Sequence, residues 1–484
     1  MAGLRGMVLR QPAWTAFVVA FTSRLILVIG SHVTHRWPLI PDEGTYVELA
    51  TLAADGRIND FCCGGYGPAL YSSIRLFMWQ LHGLVELFGF RPWILQMPAV
   101  LYGAAGAYVV SRIAGRFVSA RWTLFVGLVM ALLPSAMLHS STVLRESLIW
   151  LLVAGVAWLV FAWTEDSGRG RLVISSAGLL LAVVGLGWLR DQTAILVVYS
   201  LVPVSLLVRS QRRERIGLVL VLLVVGPWLT ASGPAGLQLV HNSALNLGSI
   251  RTWMSMEAES SFVSNDVLDE LVTSSSVGIE PSSSGEESGA AGMSIEAESS
   301  VVSNDVLDEL VTLSSVGIEP SSSGEESGAM GIAKRQTTSV IIEGKRVQII
   351  DGNLIVDNSM MASIRSVPNG LAAFYIRPLP WEVTGENSLA FRLASVENIL
   401  WLVGYGFALF GIRPLWRQHP AMLVFGASYL LLIGLVASVT QGNLGTVFRH
   451  RIQVLWVVVL LAALGGDRLW QSRQVRRVET GLTP

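Results

Sequence analysis

An all-α polytopic membrane protein of about ten transmembrane helices is the fold class this sequence predicts, and three observations predict it. Hydrophobic residues make up 52% of the 484 and charged residues only 14%, whereas soluble domains carry about 25% charged residues. The mean hydropathy is +0.54. Ten stretches reach or approach the roughly 20 apolar residues that a helical span needs. Such a chain is not a soluble enzyme, a disordered protein or a nucleic-acid binder. Two cysteines exclude a disulfide scaffold.

The predicted spans are 12–31, 93–111, 122–139, 147–163, 172–189, 192–208, 216–232, 396–412, 421–440 and 448–465. The first is interrupted by Arg24 and is followed by no small-residue cleavage site, so it does not read as a signal peptide. Arginines near the span ends set the orientation. With the N-terminus inside, Arg5 and Arg10, Arg112 to Arg121, Arg169 and Arg171, Arg209 to Arg215, and Arg413 and Arg417 all fall on the cytoplasmic side. So do Arg468, Arg473, Arg476 and Arg477 in the tail. Both ends are therefore expected in the cytoplasm. Residues 68–90 are apolar enough for an eleventh span, but Ser72, Arg75, His82 and Glu86 draw a polar stripe at helical spacing. A helix of that kind suits an interface.

Three regions follow. Residues 1–232 form an N-terminal membrane module with a first outer loop at 32–92, containing interfacial helices. Residues 233–395 form a large outer loop, and 396–484 a C-terminal membrane module with a basic cytoplasmic tail. The large loop opens with a 39-residue acidic tandem repeat, 254–292 and 293–331, whose copies differ at four positions. It holds 16 acids and no base; without it the chain has 34 bases against 19 acids, a net +15. Its Ser-, Glu- and Gly-rich ends cannot bury a core, so disorder is expected. Val340–Ile342, Arg346–Ile350 and Leu354–Val356, broken by Glu-Gly-Lys and Asp-Gly-Asn, read as a small β-meander within 340–356. Residues 362–381 return as an amphipathic, proline-broken interfacial segment.

Ionisable residues in or beside spans are costly and mark functional candidates. The outward ones are Asp42 and Glu43 before a short helix, Arg145-Glu146 opening the fourth span, Arg190-Asp191 at the fifth-to-sixth turn, and Arg449-His450-Arg451 opening the last. Outward arginines break a rule obeyed elsewhere, and an anionic ligand at the outer interface would account for them. Plainer readings stand beside this one. Asp42 could cap its helix, Arg145 and Glu146 could anchor a helix end, Arg190 and Asp191 could pair locally, and the last group could snorkel to lipid phosphates. Arg24 reads as a structural partner for a carboxylate. His32, His35 and His139 lack metal-ligand spacing, and Cys62-Cys63 reads as two buried thiols rather than a strained vicinal disulfide.

Taken together, PDEGTYVELA (41–50), GYGPALY (65–71) and LPSAMLHSSTVLRESLIWLLVAG (133–155) resemble motifs of the GT-C superfamily of polyprenyl-phosphate-sugar-dependent glycosyltransferases. The branch is that of the protein O-mannosyltransferases and lipid A aminoarabinose transferases. The resemblance covers about 1–230 well and 362–465 more loosely; the acidic repeat lies outside it. It implies a GT-C-like fold in which Asp42 matches the catalytic first-loop Asp and Glu146 the second-loop acid, with Tyr46 on the interfacial helix. A divalent metal is possible, although the metal-linked branch has a carboxylate where Tyr66 stands here.

The implied reaction moves a sugar, with inversion, from a polyprenyl-phosphate donor to a hydroxyl of an envelope glycan, lipid or protein. Asp42 would act as general base. Glu43, pointing away from it, would orient an arginine or the helix start. Arg190, Arg377, Arg449 and Arg451 are the topological candidates for holding the phosphate, with Arg145 and His450 beside them. The expected location is a bacterial inner (plasma) membrane, consistent with the absence of any N-glycosylation sequon. Two other functions compete: a lipid-linked saccharide flippase or transporter, whose ionisable residues would gather near the midplane, and a non-catalytic envelope-assembly scaffold. Convergence of the outward carboxylates and arginines on one site separates the first reading from these.

Overall fold

The computed structural model describes residues 9–61, 66–165, 168–208, 212–229, 337–342, 345–350, 353–355, 360–382, 389–440 and 449–479. The acidic repeat and Cys62-Cys63 lie outside them. The chain divides into two units, one of residues 1–260 with 355–484, the other of 261–354.

In the first unit α1 (Pro12–Val33), α2 (Pro41–Ala54), α3 (Tyr66–Ser73), α4 (Arg75–Phe88), α5 (Pro92–Ala114), α6 (Ala120–Leu132) and α7 (Pro134–His139) come first. Next are α8 (Glu146–Thr164), α9 (Arg169–Gly187), α10 (Asp191–Leu207) and α11 (Arg212–Leu229). After the intervening segment come α12 (Met360–Tyr375), α13 (Leu389–Gln418), α14 (Pro420–Thr440) and α15 (Leu455–Glu479). The other unit carries a three-stranded sheet in the order β1 (Thr337–Ile342), β2 (Lys345–Ile350), β3 (Asn353–Ile355). β1 and β2 are antiparallel, with Val340 opposite Val347.

This is a helical membrane protein. Among the described residues six helices are long and apolar enough to cross a membrane: α1, α5, α8, α9, α14 and most of α13. Four other predicted spans take different forms. The third is broken into α6 and α7 at Leu133-Pro134, where the proline removes a backbone donor. α10 has 17 residues, α11 opens on Arg212, Arg213, Glu214 and Arg215, and α15 begins seven residues later than expected and runs into the basic tail. The 68–90 stretch is two helices, α3 and α4, interrupted at Ile74; neither is long enough to span. Phe77, Met78, Leu81 and Val85 bury one face of α4.

Arg24, 1% exposed in the middle of α1, belongs to the break in the third span. In an unbroken helix the carbonyls of Met130 and Ala131 would accept from residues 134 and 135. Pro134 has no N–H, and the Ser135 N–H donates instead to Glu397 Oε2 at 2.8 Å. Arg24 supplies the missing donors, its Nη2 to the Met130 carbonyl at 3.3 Å and its Nη1 to the Ala131 carbonyl at 2.8 Å. Its Nε donates to Ser140 Oγ. The sequence suggests a carboxylate partner; the guanidinium instead meets the two orphaned carbonyls, the Ser140 hydroxyl and, one turn back on its own helix, the Ala20 carbonyl at 3.0 Å. Glu397 completes the joint by accepting also from Ser135 Oγ at 2.6 Å.

Gly103 on α5 makes room for this joint. A Cβ there would stand 2.6 Å from Ser140 Cβ and 2.7 Å from Arg24 Nε. Gly103→Val is therefore expected to cost about 1–3 kcal/mol by overpacking, read as a lowered melting temperature of the purified protein in detergent.

Elsewhere α1 packs on α5 and α6, α8 on α5 and α9, α10 and α12 on α14, and α13 lies along α15. The last pair approaches closely enough that a Cβ at Gly411 would strike the Leu461 carbonyl oxygen. Small residues serve the same purpose wherever helices must touch in lipid. One end of the bundle gathers arginines and aromatic rings: Arg116 lies over Trp158 at 5.5 Å and Arg121 over Trp470 at 5.4 Å. At the same end Asp467 accepts from the Ser119 N–H and hydroxyl. The opposite end carries the acidic residues of the candidate site.

Candidate functional site

Pro41, with its fixed φ, opens α2 at the first helical position. Asp42 and Glu43 follow in the first turn and, as neighbours on a helix, point in different directions. The Asp42 side chain is 46% exposed, and Glu43 is fully buried. The residue preceding the helix is Ile40, and no side chain caps it; Asp42 is thus not the helix cap.

Asp42 instead pairs with Arg449 Nη1, from the helical turn 449–452 that precedes α15. Four residues along the same face of α2, Tyr46 is buried edge-on against Phe77, with ring centroids 6.0 Å apart. Burial raises its pKa, and Arg145, Glu146, Arg190 and Asp42 all act on it electrostatically. Glu146, 1% exposed at the start of α8, faces Arg190 Nη2 at 3.6 Å, an ion pair too long for a hydrogen bond. Among the described residues its Oε2 has no hydrogen-bond partner. Arg190 Nη1 also donates to His450 Nε2 at 3.1 Å, which places the proton of a neutral His450 on Nδ1. Burial and the neighbouring Arg145 lower the Arg190 pKa to about 10, so it remains a cation at neutral pH. Arg145 Nη1 donates to the Leu189 carbonyl at 2.8 Å, tying the start of α8 to the turn before α10.

Among the described residues three guanidiniums thus stand with the carboxylates of Asp42 and Glu146. Asp42 is the most open member and Glu146 the most buried, so the cluster forms a gradient from an exposed carboxylate to a dry one. Asp42, Tyr46, Arg145, Glu146, Arg190, Arg449 and His450, separated widely in sequence, are brought together.

Arg451 points elsewhere. Residues two apart on a helical turn do not share a face, and Arg451 turns away from Arg449. Its Nη1 reaches toward the carbonyls of Tyr375 and Arg377 at 3.4 and 3.5 Å, and its guanidinium lies 5.1 Å from the Trp401 ring. Arg377 is exposed, and its carbonyl is one of the two that Arg451 faces.

Glu43 works as a tether. Its Oε2 accepts from the Leu39 N–H at 3.1 Å; its Oε1 accepts from Gln96 Nε2 at 2.8 Å and the Val143 N–H at 3.0 Å. The loop before α2, helix α5 and the loop before α8 are held by one carboxylate. Gln96 also donates to the Ser141 carbonyl and accepts from His32 Nε2 at 2.9 Å. Gln96 did not stand out in the sequence, and His32 did so only as a histidine without metal-ligand spacing, although an amide inside an apolar span is a signal of the same kind as a charge. His139, also passed over, donates Nδ1–H to the Ser135 carbonyl at 2.8 Å and lies within the electrostatic reach of Asp42, Glu146 and Arg449.

Burial raises the Glu43 pKa, against the lowering effect of the Val143, Leu39 and Gln96 hydrogen bonds. The folded state then holds a proton more tightly than the unfolded chain, so this group adds stability as pH falls toward the ordinary carboxylate range. Glu43→Gln cannot show that gain, and its amide nitrogen would face donors. The stability gap favouring the natural protein is expected to widen from pH 7 toward pH 4.5, read by thermal unfolding at each pH.

Among the described residues no group of three or more His, Cys, Asp or Glu side chains is placed to hold a metal ion. Asp42 and Glu146 each face an arginine, a setting that favours an anion over a divalent cation, and no step is derived through a metal. A scan against protein-family models, a search of curated proteins and a search of solved structures each gave no match.

Proposed function

We propose that this protein is an integral-membrane glycosyltransferase that moves a sugar from a polyprenyl-phosphate donor to an acceptor hydroxyl with inversion. The observation that carries the reading is the meeting of Asp42 and Glu146 with Arg145, Arg190 and Arg449 at one end of the bundle, graded from exposed to buried. The acceptor hydroxyl attacks the anomeric carbon while the bond to the lipid phosphate breaks. Asp42 takes the hydroxyl proton, and the arginines hold the charge growing on the phosphate. Glu146 keeps Arg190 in place from the dry side.

An apolar groove of about 580 Å³ supports the lipid part of this reading. It is bounded by Trp122 and Phe125 of α6, Trp401 and Phe407 of α13, and Leu455 and Val458 of α15. Arg451, over the ring of the groove residue Trp401, shares the turn 449–452 with Arg449 of the cluster. The test is a membrane assay with radiolabelled polyprenyl-phosphate mannose or arabinose and total envelope acceptors. Donor-dependent labelling that disappears in Asp42→Asn supports the reading; no transfer from either donor, with the protein folded, counts against it.

The proposed location is a bacterial plasma membrane with the arginine-rich end in the cytoplasm, since basic residues are retained there. In a background with Cys62 and Cys63 replaced by Ser, Trp381→Cys is expected to react with an impermeant thiol reagent in intact cells. Trp381 is 77% exposed. Arg473→Cys, in the basic tail, is expected to stay unlabelled until the cells are opened. The reverse pattern would invert the orientation.

A further inference from the structure

The arginine-rich end carries a second constellation that the transfer reaction does not use. A polar cavity of about 390 Å³ lies between the start of α1, the end of α5 and the start of α6. Its walls include Arg10, Arg112, Arg116, Gln11, Ser111 and Thr123, and no carboxylate. Arg10 and Arg112 have no carboxylate partner among the described residues, and both are exposed.

Arg112 is shared with a second recess, an apolar one of about 340 Å³ between α5 and α8, lined also by Tyr108, Val109, Gly155, Trp158 and Leu159. The two are joined by aromatic contacts as well. Arg116 of the polar cavity lies over Trp158 of the apolar recess, and Trp14 of the first packs on Tyr108 of the second with centroids 4.9 Å apart. Gly155 opens onto empty space, for a Cβ there would meet nothing within 4 Å.

We propose that this pair of recesses binds one anionic glycerophospholipid, its phosphodiester head among Arg10, Arg112 and Arg116 and an acyl chain against Gly155, Trp158 and Leu159. A free phosphate would use the first recess and have no need of the second. A zwitterionic lipid would use the second but bring no net charge to the three guanidiniums. Both recesses being present and continuous at Arg112 selects a ligand with both parts. The site stands at the opposite end of the bundle from Asp42, so it is independent of the proposed transferase activity.

The test uses the full-length protein in mixed micelles of phosphatidylglycerol and phosphatidylcholine, with retained lipid counted by native mass spectrometry. The natural protein is expected to retain phosphatidylglycerol preferentially. Arg112→Ala and Arg116→Ala should each reduce that retention by roughly fivefold, the factor one arginine contributes at an anionic surface. Gly155→Leu, which fills the apolar recess while leaving every arginine, should reduce it too. Arg473→Ala, an exposed arginine of the basic tail that lines neither recess, should leave it unchanged, and melting temperatures show that each variant is folded. Equal retention of both lipids, full retention in the Arg112 and Gly155 variants, or displacement by inorganic phosphate alone would overturn the proposal.

Discussion

Asp42→Asn is expected to lower single-turnover sugar transfer by about 10²- to 10⁴-fold, the usual worth of general-base catalysis, while donor affinity changes little. Asparagine keeps the shape and one acceptor oxygen but cannot take the hydroxyl proton. Asp42 is half-exposed and is not the cap of α2, so the substitution has little reason to unfold the helix. Arg449→Ala gives the contrasting result. It removes a charge-assisted phosphate contact already present in the ground state, so donor binding weakens together with turnover. Arg451→Ala, whose side chain faces the Tyr375 and Arg377 carbonyls, should act on stability and leave donor affinity alone. Donor affinity and single-turnover rate, measured on each purified variant, separate the three. Near-normal transfer by Asp42→Asn would remove this carboxylate from the mechanism.

Arg24→Leu is expected to produce the largest loss of stability. Leucine is the better lipid-facing residue, yet it leaves the Met130 and Ala131 carbonyls without donors in a dry interior. Each buried unsatisfied group costs about 1–3 kcal/mol, and Ser140 loses a donor as well. Burial of the guanidinium carries its own cost, which leucine relieves, but removing one side of a buried polar joint is usually the larger effect, about 3–5 kcal/mol. Thermal unfolding in detergent reads it. An unchanged melting temperature would mean that water reaches the broken helix and serves both carbonyls. Glu397→Gln should be milder, since the Ser135 N–H and hydroxyl still find an acceptor oxygen.

Much of the cluster was legible because membrane topology makes a misplaced arginine conspicuous. Arg145, Arg190 and Arg449 stood out as cations on the side where basic residues are not retained. What charge alone could not provide was direction. Arg449 and Arg451 are equally conspicuous in sequence, and only the turn they share sends one to Asp42 and the other to backbone carbonyls. Arg24 was visible as a buried charge, but its partners are peptide groups freed by Pro134 over a hundred residues away, and peptide groups leave no mark in composition. Gln96 escaped for the opposite reason, being uncharged although it sits at the centre of the Glu43 tether. The helical membrane class followed directly from apolar length. Breaks within predicted spans depended on single residues such as Pro134, whose effect on neighbouring carbonyls appears only once a third helix answers them.

The two ion pairs of the site also differ in when they can first exist. Glu146 precedes Arg190 by 44 residues, and Asp42 precedes Arg449 by 407. At a synthesis rate of roughly 5–20 residues per second, the first partner emerges within about 2–9 s and the second only after roughly 20–80 s. The buried carboxylate is the one answered early, and the one left waiting is the half-exposed one, which water can serve meanwhile. The order of emergence from the ribosome therefore spares the membrane an unpaired dry charge. The complete constellation exists only after the last helix has been inserted, so a chain released early carries the acids without the cation that joins them.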